Sequence, residues 1–245
     1  AAKMTSCRSC GARLADAISN CPECGQLCAV PEPVPPPSPS TSLAALEALI
    51  ERSAPDLVLV ATTGLVALPA TLSALDGGAA VAIANKETIV AGGDTVMMAA
   101  HRAAEERGST VLERLRPVDS EHSAIWQCLA GEDRASVSRI WLTASGGPFR
   151  TWSAARIAAA TPADALAHPT WKMGSKITVD SASLVNKGLE AIEAHRLFDL
   201  PMDRVDIVVH PESRVHALVE FVDGSIKAQI GEADMRGPIA YALGY

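Results

Sequence analysis

The chain has 245 residues, 48% of them hydrophobic but only 4% aromatic, with a formal net charge of −7. That length can bury a substantial core, and the apolar content excludes disorder throughout. Before Leu43, Lys3, Arg8 and Arg13 balance Asp16, Glu23 and Glu32, so the whole negative charge belongs to residues 43–245. An acidic body argues against non-specific nucleic-acid binding, which works by neutralising phosphates.

Five of the six cysteines fall within the first 28 residues. Cys7-x-x-Cys10 and Cys21-x-x-Cys24 are each followed by a glycine, a spacing that lets both thiolates of a turn meet one tetrahedral Zn²⁺. Residues 1–28 thus resemble a minimal zinc ribbon, a staple or docking module that names no reaction. No apolar run follows a basic start, so nothing here reads as a secretory signal, and paired CxxC motifs fit metal thiolates in a reducing, cytoplasmic setting. Residues 31–39, PEPVPPPSP, carry six prolines without apolar periodicity, and 29–42 reads as an extended linker.

From Leu43 the pattern alternates. LAALEALIERSA predicts a helix, LVLVATT a strand, ALPATLSALD a helix, AAVAIAN a strand and GDTVMMAAHRAAEERG a helix. Leu57–Leu75 is free of charge, yet Gly64 and Pro69 divide it into strand, loop and helix, and no membrane span is expected. RIWLTAS and KITVDS read as further strands. ALVEFVDGSIKAQI reads as a hairpin turning at Asp223-Gly224 in a type I′ turn. The fold class is α/β: a parallel sheet with crossover helices over 43–116, then an α+β region over 117–245.

Pro117-Val-Asp119-Ser-Glu121-His122 sets two carboxylates two residues apart, which in an extended segment share one side and can share a divalent cation. Alone the pattern is common on solvated loops. Asn186, Lys187 and Glu190 stand at i, i+1 and i+4 of a predicted helix, beside an apolar stripe of Val185, Leu189 and Ile192. That face offers a third carboxylate and two groups for a phosphorylated substrate; a surface ion pair is the plain alternative. Thr143-Ala-Ser145-Gly-Gly-Pro-Phe149 lets backbone approach an anion. His168-Pro-Thr-Trp171-Lys-Met-Gly174 has the composition of a lid.

ANKET at 84–88, PVDSEHSAIWQ at 117–127, LTASGGPF, HPTWKMGSKITVDSASLVNKGLEAIEAHRLF and VDGSIKAQIGEADMRGPIAYAL together resemble the 1-deoxy-D-xylulose 5-phosphate reductoisomerase family, in order from about residue 55 onward. The resemblance implies a partial Rossmann-type cofactor domain followed by a catalytic domain. It implies NADPH-dependent isomeroreduction of 1-deoxy-D-xylulose 5-phosphate to 2-C-methyl-D-erythritol 4-phosphate, in non-mevalonate isoprenoid synthesis. By the same resemblance Asp119, Glu121 and Glu190 hold Mg²⁺ or Mn²⁺. Ser145, His168, Ser181, Asn186 and Lys187 bind phosphate and substrate, Ser120 and Lys86 stand near the reacting oxygens, and Asn85, Glu87 and Gly174 contact the cofactor. The family also pairs into homodimers through the catalytic sheet.

The chain departs from the family pattern in places. The G-x-T-G-S-x-G turn that holds the cofactor pyrophosphate is absent, Ala67 stands where a glycine is expected, ERLR precedes Pro117, and Arg214 replaces an apolar residue. These departures, and the lack of a C-terminal helical domain, predict weak NADPH affinity and an incomplete or chimeric form. Completion by another chain and a non-enzymatic zinc-ribbon adaptor on a sugar-phosphate-binding scaffold are the other two readings.

Overall fold

The computed structural model describes residues 43–245 and two short strands, β1 (Thr5–Ser6) and β2 (Arg13–Leu14), which pair antiparallel. Cys7, Cys10, Cys21 and Cys24 and the proline-rich segment lie outside the described residues, so the zinc-ribbon reading is untouched by the structure. Contacts divide the chain into Ala1–Ser42 and Leu43–Tyr245.

In the second unit, helix α1 (Leu43–Ser53) leads to strand β3 (Leu57–Val60), helix α2 (Leu68–Asp76) and strand β4 (Ala80–Ile83). The uncharged stretch 57–75 is thus a strand, a loop and a helix, and among the described residues no helix is long and apolar enough to cross a membrane. Strand β4 is buried at every position, as expected for the centre of a parallel sheet covered on both faces. It pairs with β3 on one side and with β5 (Leu115–Pro117) on the other, all parallel.

Between β4 and β5 runs helix α3 (Lys86–Arg107), followed by the single turn α4 (Val111–Arg114). The apolar pattern placed the start of α3 near Gly93; in fact Asn85 caps it, its side chain accepting from Thr88 N at 2.8 Å. The helix bends at Gly93, whose φ of +49° is left-handed and therefore suited to glycine.

The second sheet runs β7-β6-β8-β9. Strand β6 (Val137–Ala144) lies parallel to β7 (Val205–Val209) and antiparallel to β8 (Val215–Phe221), which forms a hairpin with β9 (Ile226–Ile230). Helices α5 (Ser120–Cys128), α6 (Ala154–Ala158), α7 (Pro162–Leu166), α8 (Ser175–Ala182), α9 (Val185–Phe198) and α10 (Arg236–Gly244) complete the unit. One apolar cluster joins Val81 and Ile83 of β4 and Ile89 of α3 to Ile140 of β6, Leu197 of α9 and Val219 of β8, so both sheets share a core.

Three expectations are corrected. KITVDS is helical, within α8: Lys176 and Asp180 pair at i,i+4, and Thr178 and Ala182 are buried at the same spacing, which outweighs the β-branched run. The hairpin loop is not type I′. Gly224 has φ +83° but Asp223 does not share positive φ; Gly224 N bonds to Phe221 O, and Phe221 N to Ser225 O, giving a three-residue loop. In α9 the predicted apolar stripe is the more exposed side, with Val185 53% exposed, whereas Lys187, Glu190 and Glu193 are buried with Ala191, Ala194 and Leu197.

Candidate active site

Three strands end at one cleft, and each delivers a polar residue within three positions of its end: β4 leads to Lys86, β5 to Asp119 and β6 to Ser145. The carboxyl ends of strands are where α/β sheets place ligands. Asp119 is not in an extended run with Glu121, as the spacing suggested. It sits at the N-cap of α5, with Glu121 in the first turn, and its carboxylate turns away from the cap toward Lys86. Even so, Asp119, Glu121 and Glu190 converge, with oxygen atoms from all three within 4.8 Å of one another.

Two ammonium groups bind this trio together. Lys86 Nζ lies 2.5 Å from Asp119 Oδ2 and 3.3 Å from Glu190 Oε1, and donates to Asn186 Oδ1 at 2.7 Å. Lys187 Nζ donates to Glu121 Oε1 at 2.8 Å and also to Glu190 Oε2. Ser120 Oγ donates to Glu121 Oε2 at 2.5 Å. The plain alternative, a Lys187–Glu190 pair, is present, but both residues are buried and it is part of this network rather than a surface contact.

The electrostatics follow from burial and neighbours. Burial opposes charge on both lysines, yet the facing carboxylates outweigh it: Asp119 and Glu190 hold Lys86 well above its ordinary value, and Glu121 and Glu190 do the same for Lys187. Burial would raise Asp119, but Lys86 and His122 keep it well below the usual carboxylate range. Glu190 is raised, by burial first and then by Glu121. Three carboxylates against two ammoniums, all oxygen-donor chemistry in a buried pocket, fit a hard divalent cation.

Along the cleft, Ser145 Oγ lies 2.9 Å from His168 Nε2. His168 Nδ1 accepts from Thr170 N and Trp171 N at 3.1 and 2.9 Å, which leaves Nε2 to carry the hydrogen and donate to Ser145. Gly147 has φ +62°, and a Cβ there would stand 2.5 Å from Ser181 O, so only glycine lets this loop meet α8. Leu184, at φ +62°, turns the chain sharply from α8 into α9 and lines the cleft near Asn186.

Lys86, Asp119, Ser120, Glu121, Ser145, Ser181, Asn186, Lys187 and Glu190 all line the cleft, as does Trp171. Asn85, Glu87, His168 and Gly174 are not among the lining residues. Asn85 is buried and its amide donates to Thr62 O and Gly64 O at 2.6 and 2.8 Å, fastening the loop after β3 to the start of α3. Glu87 pairs with Lys176 of α8. Arg214 is exposed and pairs with Glu232 at 2.5 Å, which accommodates a charge at that position.

The sequence reading missed His122, Glu193, Ser213 and His216. His216 and Ser213 line the cleft, and His216 faces Trp171 at 6.2 Å between ring centroids. His122 and Glu193 sit behind the carboxylates. Each lies three residues after a metal-type carboxylate, Asp119 and Glu190, which places it on the same helical side, and that spacing was a usable signal. Burial lifts the Glu193 carboxyl to about 7 despite His122 beside it.

Fold and site define an α/β protein with a buried cluster of carboxylates and lysines beside a serine, histidine and amide cleft. Residues 37–93 match the family model for 1-deoxy-D-xylulose 5-phosphate reductoisomerase, and 115–198 match the model for its C-terminal domain, together more than half of the chain. The chain is 56% identical over 194 residues to the reductoisomerase of Chloroherpeton thalassium, covering 79% of this chain and 48% of that protein. It is 52% identical over 215 residues to that of Arthrobacter sp. strain FB24, covering 88% and 50%. Among solved structures it resembles DOX-P reductoisomerase in complex with NADPH, fosmidomycin and magnesium, with TM-score 0.74 and 42% identity over 82% of this chain and 50% of that one. It also resembles the Zymomonas mobilis enzyme in complex with NADPH, with TM-score 0.70 and 46% identity over the same shares. The chain belongs to the 1-deoxy-D-xylulose 5-phosphate reductoisomerase family, a family of enzymes, and spans about half the length of the curated relatives it matches.

Proposed function

We propose that this chain carries the metal- and substrate-binding machinery of a reductoisomerase that converts 1-deoxy-D-xylulose 5-phosphate to 2-C-methyl-D-erythritol 4-phosphate with NADPH. The observation that carries this reading is the convergence of Asp119, Glu121 and Glu190 within 4.8 Å, held by Lys86 and Lys187. Asp119, Glu121 and Glu190 would hold Mg²⁺ or Mn²⁺, which would supply Lewis-acid stabilisation to the substrate. Lys86, kept cationic by its neighbours, adds a second positive group where oxyanion charge develops during rearrangement. Ser145, Ser181, Asn186 and Lys187 take the phosphate, with His168 orienting Ser145 through their hydrogen bond, and this remote binding energy positions the reacting carbons. Trp171, which lines the cleft, is placed to cover a bound substrate.

Self-association is expected across the second sheet, where Trp141, Val208, Leu218, Ala228 and Ile226 share the face turned away from the core, with Ile226 56% exposed.

The test is calorimetric titration with fosmidomycin, the ligand of a related structure, in the presence and absence of Mg²⁺. Binding that needs Mg²⁺ and disappears in Glu190→Gln supports the reading. Cation-independent binding, equal in both proteins, overturns it.

A further inference from the structure

His122 is completely buried, and Glu193 is 1% exposed. The His122 Nε2 lies 2.9 Å from the main-chain oxygen of Glu190; a carbonyl only accepts, so Nε2 carries the hydrogen and donates. The other nitrogen, Nδ1, faces Asp119 Oδ2 at 3.8 Å and Glu193 Oε2 at 3.7 Å. The ring lies nearly parallel to Phe198 of α9, at 6.3 Å between centroids and 8° between planes. A single imidazole on α5 is thus bounded by α9 on its face and one edge, and by Asp119 and Glu193 on the other edge. It donates to the backbone of Glu190, while its Nδ1 faces the Asp119 and Glu193 side chains without a hydrogen bond to either.

Packing does not require an ionisable group here. A buried carboxylate with no cation at contact distance is costly, and an apolar side chain of similar length would fill the space at no such cost. Ligating carboxylates, in contrast, depend on outer partners that fix their orientation. We propose that Glu193, acting through His122, is a positioning residue that sets the spacing of the Asp119 and Glu190 carboxylates for a divalent cation. The proposal rests on the reading of Asp119, Glu121 and Glu190 as a cation site.

The test uses the full chain and Mn²⁺, with free Mn²⁺ followed by electron paramagnetic resonance and folding followed by thermal melting. Glu193→Met fills the space without the charge. It is expected to melt no lower than the parent while binding Mn²⁺ about 10–100-fold more weakly. Glu193→Asp recovers part of the affinity, and stability and affinity then move independently, which a purely structural role does not produce. Unchanged affinity in Glu193→Met overturns the proposal. So does a directly coordinated nitrogen in the spin-echo spectrum of bound Mn²⁺, which makes His122 a ligand. If the parent chain fails to bind Mn²⁺, or Glu190→Gln binds it equally well, the cation-site reading falls first and this proposal with it.

Discussion

Lys86 Nζ and Asp119 Oδ2 stand 2.5 Å apart, on side chains only 6% and 14% exposed. Such a pair gains little over two apolar residues, but removing one member strands the other's charge. Lys86→Met therefore costs about 3–5 kcal/mol. On the proposed reading a divalent cation opposes the same carboxylates, so Mg²⁺ should restore a larger share of the melting temperature in this variant than it adds to the parent. Melting curves with and without Mg²⁺ check this, and equal increments in the two proteins would count against a shared role for Lys86 and the metal.

His168 gives a pH dependence with a definite sign. Burial, and then Arg150, depress its pKa below the ordinary histidine value, which is about 6.5 in an unfolded chain. The neutral ring is the one whose Nδ1 accepts from Thr170 and Trp171. Its contribution is fully present above pH of about 6.5 and is lost as pH falls through the depressed folded value. Imidazole nitrogen shifts should show the Nε2–H tautomer at neutral pH, and the Trp171 amide should lose exchange protection in acid. A His168 midpoint at or above the unfolded value contradicts the assignment.

Gly147 and Gly174 should respond in opposite ways to alanine. At Gly147 a Cβ meets the Ser181 carbonyl at 2.5 Å with φ at +62°, whereas at Gly174 it meets nothing within 4 Å. Gly147→Ala is expected to lose about 1–3 kcal/mol and to displace Ser145 from the cleft. Urea melts of both variants make the comparison.

If the outer face of the second sheet joins two copies, the 25.5 kDa chain should show about twice that mass by light scattering. Ile226→Lys, on edge strand β9, should then shift it to monomer, since edge lysines block strand and sheet association. A parent that is monomeric at high concentration removes this expectation.

The parallel strands 57–60 and 80–83 were legible because their apolar runs are short, β-branched and bounded by glycine, proline or asparagine. Residues 176–181 were not. There a β-branched run overlies a Lys176–Asp180 helical pair, and composition alone favours the strand. Helix α9 was legible as a helix but its inward face was not, because the buried side is the charged one. That inversion is itself a mark of function: Lys187 and Glu190 are inside because they neutralise one another and their neighbours. Asp119, Glu121 and Glu190 were suggested as a set by residue type and spacing and joined by the family resemblance, but their convergence was not legible, since it depends on strands and helices far apart in sequence.

Lys86 and Glu190, which meet at 3.3 Å, are separated by 104 residues, and one core packs behind both. Pairings of such long range form late, after the entropy of closing the intervening chain has been overcome. The proposed cation site is therefore a product of complete assembly of residues 43–245. A fragment starting after α3 would retain all three carboxylates yet lack the ammonium that opposes Asp119, so acquisition of tight Mn²⁺ binding during refolding would report the final docking of the two sheets.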